Sequence, residues 1–158
     1  MTRRSLLRFL PTPAFLLGCL GLLSQCGTNT VPAVVGPLPD PPHRLTATLN
    51  GASQRPAVTS AGSGTFEATV DKATRLMSYT ITFAGITPSG GSLNRITQPD
   101  GTGPYVVRFP LTLLRSPIQA TYALSPPQLD SLLKGQWYVN FPTNANPGGE
   151  IRGDIRAR

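Results

Sequence analysis

Apolar residues recur at every second position in one stretch after another of this chain, and that pattern demands half-buried β-strands. Leu45, Ala47 and Leu49 alternate with Thr46 and Thr48; Phe66, Ala68 and Val70 alternate with Thr65, Glu67 and Thr69. Met77, Tyr79, Ile81 and Phe83 repeat the pattern against Ser78, Thr80 and Thr82. A period of two puts one set in the core and the other in water, which a helix of period 3.6 cannot do. Asp71-Lys72-Ala73-Thr74 has the length of a hairpin connection between the second and third stretches. Tyr105, Val107, Phe109, Leu111 and Leu113 predict a long strand, in which Pro110 marks an edge position or a bend. Ile118–Leu124 predicts another strand.

The helical signal is confined to Ser125–Gly135. Ser125 is placed to cap, Pro126 and Pro127 suit the first turn, and Gly135 closes about two turns. Beyond it Trp137, Val139 and Phe141 share one strand face and are expected in the core, with Asn140 serving backbone groups of the following turn. In the stretch Gly149–Arg156, residues Ile151, Gly153 and Ile155 are expected to point inward. Short strands, Gly/Pro/Asn turns and one small helix predict an all-β fold, an antiparallel sandwich or barrel with Greek-key connections.

The N-terminus reads as an address. Arg3, Arg4 and Arg8 precede an apolar run from Phe9 to Leu23, and no acid appears before Asp40. A basic start before a short run broken by Pro11 and Pro13 is an export signal rather than a spanning helix, which needs about 20 apolar residues. Thr2–Arg8 fits the twin-arginine pattern as well as a general secretory start. Leu22-Leu23-Ser24-Gln25-Cys26-Gly27-Thr28 resembles a bacterial lipobox, with Gln25 departing from the usual small residue. Cys26 is the expected lipid-attachment site, and Leu16-Leu17-Gly18-Cys19 is the competing one. Cleavage before Cys26 leaves 133 residues at a net charge of +4, against +7 for the whole chain. The remaining bases are scattered without interleaved aromatics, so no nucleic-acid surface is expected. Residues 27–42 hold five prolines and predict an extended tether. The expected organisation is residues 1–25 as signal, 26–42 as lipidated Cys and tether, and 43–158 as the folded domain.

Chemistry-bearing residues are sparse. Glu150, Arg152, Asp154 and Arg156 fall on one side of the last strand and alternate in sign, which reads chiefly as a solvated charge ladder; Glu150, Arg152 and Asp154 are its candidate interaction surface. A two-carboxylate hydrolase would need a partner for Glu150 from Glu67, Asp71, Asp100 or Asp130, and no spacing pairs them. Asp100-Gly101-Thr102-Gly103 carries one carboxylate and no Lys, so it reads as a turn rather than a calcium or phosphate loop. Asn50-Gly51 and Asn146-Pro147-Gly148-Gly149 are likewise turn chemistry. His43 is the single histidine, so no metal site and no cofactor are expected.

The closing stretch, Gly135-Gln136-Trp137-Tyr138-Val139-Asn140-Phe141-Pro142-Thr143 through Pro147-Gly148-Gly149-Glu150-Ile151-Arg152-Gly153, resembles the CHRD (chordin-type) domain family. The motif residues are Tyr138, Val139, Asn140, Thr143, Pro147, Gly148, Gly149, Glu150, Ile151, Arg152 and Gly153, and they read as structural. Leu49-Asn50-Gly51-Ala52 onward, with Gly62 and Gly64, is similar to the family's opening. Where many bacterial members carry histidines, this chain has Ser92-Leu93-Asn94-Arg95-Ile96 and Phe141-Pro142. A metal role resting on those histidines therefore does not transfer. The resemblance implies an immunoglobulin-like or superoxide-dismutase-like sandwich and no settled activity. The expected protein is a non-enzymatic module of the cell envelope, tethered to a membrane through its lipid and serving as scaffold or as binder of a protein or glycan. The alternatives are a degenerate carbohydrate-active hydrolase using Glu150, or a metal-binding sandwich.

Overall fold

A computed structural model of the chain describes residues 40–158. The expected signal, Cys19, Cys26 and the tether up to residue 39 lie outside the described residues. Among the described residues nine strands form one antiparallel sheet: β1 (His43–Asn50), β2 (Ser63–Asp71), β3 (Leu76–Ala84), β4 (Ser92–Arg95), β5 (Tyr105–Arg108), β6 (Ile118–Ala123), β7 (Trp137–Phe141), β8 (Ile151–Asp154) and β9 (Arg156–Ala157). The spatial order is β5-β4-β7-β8-β1-β2-β3-β6, with β9 also paired to β1. The sheet curls on itself, so that β5-β4-β7-β8 faces β1-β2-β3-β6 across the core. The connections β3–β4, β5–β6 and β6–β7 each cross from one half to the other, as the predicted Greek-key arrangement requires.

The core is where period two places it. Leu49, Phe66, Val70, Met77 and Ile81 from one half meet Leu93, Trp137, Val139, Phe141 and Ile151 from the other, all fully buried. Phe83 of β3 and Phe141 of β7 have ring centroids 4.9 Å apart, a direct packing contact between the halves. At about 25 cal/mol per Å² of apolar surface removed from water, this shared interior is the main stabilising contribution.

The β2–β3 hairpin turns where expected. The Asp71 carboxylate accepts the N–H groups of Ala73 and Thr74 at 2.8 and 3.0 Å, and Arg75 takes a positive φ of 57°. The helix α1 (Pro126–Leu133) also forms as the sequence predicts. The Gln128 side chain accepts the Ser125 N–H at 2.8 Å, and Gly135 leaves the helix at φ 70°. The helix is anchored by Leu132, which is fully buried, and by the Trp137 indole, which donates to Ser131 Oγ at 2.8 Å.

Two expectations are corrected. The long strand over Tyr105–Leu113 is only β5, Tyr105–Arg108. Pro110 has no N–H to continue the ladder; Phe109 turns into the core, and a single 3-10 turn over Leu111–Leu113 follows with Leu111 and Leu113 exposed. The second correction adds β4, which the alternation did not predict, because Ser92, Leu93 and Asn94 are all buried in succession.

Candidate functional site

The closing motif folds into three polar clasps that tie neighbouring loops onto β7 and β8. The first is built on Arg152, and it overturns the solvated charge ladder. Arg152 is 1 % exposed. Its position on β8 would face water, but the β4–β5 loop folds across it. Arg152 Nη2 donates to Gly101 O of that loop at 2.7 Å and to Asp154 Oδ1 at 2.8 Å, and Nε reaches the same carboxylate oxygen at 3.1 Å. The guanidinium stacks on Tyr138, whose burial raises its phenol above the usual value and keeps it neutral. The Tyr138 hydroxyl lies 3.3 Å from Gly103 O, which also accepts Asn94 Nδ2 at 3.1 Å. Asp154 further pairs with Arg55 at 3.8 Å and Arg156 at 3.5 Å. A lone buried charge would cost several kcal/mol, and this set of partners offsets that cost.

The second clasp is Glu150. It stands just before β8, and its two oxygens accept Ser60 Oγ at 2.8 Å and Thr143 Oγ1 at 2.5 Å. The Thr143 and then the Ser60 hydrogen bonds hold the carboxyl below its ordinary range. Thr143 Oγ1 also accepts the Asn146 N–H at 3.1 Å, so the turn that follows β7 closes on the same group. In the third clasp Gln54 Nε2 donates to Asn140 Oδ1 at 2.8 Å, and Asn140 Nδ2 donates to Gly148 O at 3.1 Å. Gly149 sits against that pair at φ 142°, where an added Cβ would strike Asn140 Oδ1 and Gln54 Nε2. Val139 and Ile151 are core, Gly153 backs onto Thr48 O, and Pro147 and Gly148 are exposed in the turn.

The structure therefore gathers the motif residues but turns their polar atoms on one another. Glu150 has hydroxyl partners, while Asp71 and Asp100 serve their own turns: Asp100 Oδ1 accepts both the N–H and the hydroxyl of Thr102. Among the described residues no buried side-chain nitrogen or oxygen lacks a partner. Nor is any group of three His, Cys, Asp or Glu side chains placed to hold a metal ion. No helix among them is long and apolar enough to cross a membrane.

An open groove of about 640 Å³ lies elsewhere, across the outer face of β1-β2-β3-β6. Strand register makes its walls. One cross-strand row is Arg44, Thr69, Ser78 and Thr121; the next is Thr46, Glu67, Thr80 and Gln119. Arg158 adds a second guanidinium at the β1 end, where its N–H bonds to Arg44 O at 3.0 Å. In contrast to the clasps, these side chains make no hydrogen bond or ion pair with other described residues. The sequence carried the signal for this face in the threonines that alternate with the core residues, but the alternation identifies only a wet face and not its curvature.

A family model described as CHRD domain matches residues 45–155. All three clasps lie within that span, and Arg44 and Arg158 fall just outside it. No curated protein and no solved structure matches the chain.

Proposed function

The chain belongs to the CHRD domain family, and on that premise we propose that it is a non-enzymatic binding module of the cell envelope, held to a membrane by lipid on Cys26. One observation carries the non-enzymatic part: both oxygens of Glu150, the glutamate of the closing motif, are engaged by the Ser60 and Thr143 hydroxyls. A general acid or base needs a free position facing substrate, and Glu150 instead locks a turn to β8. Support for the address comes from the sequence, in the basic start, the apolar run, Cys26 and the proline-rich stretch before β1. A lipid-anchored chain is retained by the membrane because each buried CH₂ adds about 0.8 kcal/mol.

The test is fractionation of cells expressing the full chain or its Cys26→Ser variant. The parent is expected in the membrane fraction and the variant in the soluble exported fraction. Identical distribution of the two would overturn the tethered reading.

A further inference from the structure

We propose that the groove across β1-β2-β3-β6 binds an extended 1,4-linked glycan lying perpendicular to the strands, with a uronic-acid sugar at the β1 end. The proposal rests on the binding-module reading above and assigns its ligand class.

Four features of the groove lead there. Its walls repeat once per strand, at about 4.8 Å, so polar groups recur over about 14 Å across four strands. That interval is close to the sugar repeat of an extended 1,4-linked chain, which presents hydroxyls at regular steps. Hydroxyls stand along both walls, Thr69, Ser78 and Thr121 in register in one and Thr46 and Thr80 in the other, and apolar residues such as Leu45, Ala68 and Ala120 also line the groove. Hydroxyls both donate and accept, as sugar hydroxyls do, and the apolar part of the lining can meet the C–H faces of sugar rings.

Charge then sets direction. Arg44 and Arg158 stand together at the β1 end, neither within 4 Å of an acidic group among the described residues. Their forked donors suit a carboxylate. Glu67 lies in the opposite wall one strand further on, in register with Thr46 and Thr80. Its carboxylate can accept two neighbouring sugar hydroxyls, and it repels a second uronic acid at that position. A glycan with one terminal acidic sugar fits both charges; a uniformly acidic chain fits only the first.

The test is calorimetric titration of the detergent-solubilised full chain with three probes. These are cellotriose, cellotriose whose terminal non-reducing sugar is glucuronic acid, and trigalacturonate. The terminal-acid probe should bind at least about tenfold more tightly than either of the others. Combined Arg44→Ala and Arg158→Ala substitution should abolish that preference, so that the variant binds the terminal-acid probe no more tightly than it binds cellotriose. Thr121→Val, on the edge strand, should weaken both cellulosic probes several-fold, and circular dichroism should show each variant folded like the parent. Failure of the parent to bind any probe, a double-arginine variant that keeps the preference, or equal affinity for an acidic peptide such as hexaglutamate would overturn the assignment. Those results leave membrane partition through Cys26 untouched, so the ligand class and the tethered-module reading fail separately.

Discussion

The guanidinium carbon of Arg152 lies 3.7 Å from the centroid of the Tyr138 ring, so a fully buried cation on β8 rests on an aromatic face of β7. Arg152→Ala strips Asp154 of its closest cation and Gly101 O of its donor. The expected loss is about 3–5 kcal/mol of unfolding free energy in urea denaturation. Arg152→Lys keeps the charge but not the fork or the stacking, and should lose about 1–3 kcal/mol. A fully stable alanine variant would refute the clasp.

Trp137 is fully buried, and its indole N–H is satisfied by Ser131. Trp137→Ala should cost roughly 3–5 kcal/mol, a large part of the stability of a domain of this size. Trp137→Phe keeps most of the volume and leaves Ser131 Oγ its bond to Gln128 O, so its thermal midpoint should fall clearly less than that of the alanine variant.

Much of this was legible in the sequence because period two is set by one-sided burial. β1, β2, β3 and the core face of β7 all follow from it, while the helix was marked by its cap at Ser125, its prolines and Gly135. Burial that comes from the other side was hidden. Arg152 and Tyr138 sit on positions that alternation assigns to water, and only the return of the β4–β5 loop over them reverses that assignment. β4 was hidden for a related reason: Ser92 Oγ donates to Asn94 Oδ1 at 2.7 Å, which lets two polar side chains be buried beside Leu93 without an apolar pattern. The groove needed the register of four strands that are far apart in sequence.

Gly149→Ala tests the third clasp. At φ 142° an L side chain is strained, and its Cβ would collide with the Gln54–Asn140 hydrogen bond. A loss of about 1–3 kcal/mol is expected, together with faster amide exchange in the Asn146–Gly149 turn. Unchanged exchange there would count against the clasp.

The pH dependence of stability has a defined sign. Hydrogen bonds from Thr143 and Ser60 lower the Glu150 carboxyl, and local turn bonds lower Asp71 and Asp100. Each folded value lies below its unfolded one, so each stabilising contribution is complete above the unfolded carboxylate range. It is lost as pH falls through the folded values. The denaturation midpoint should therefore decline on acidification, and Thr143→Val should make the decline shallower. A parent whose midpoint is constant or rises through the acid range would contradict this.

Intact mass spectrometry of the membrane fraction tests whether lipid on Cys26 holds the exported module at a membrane, as proposed. The predicted species begins at Cys26 and carries the added mass of a lipoprotein anchor with several acyl chains. A mature chain that begins elsewhere, or an unmodified Cys26, would contradict it.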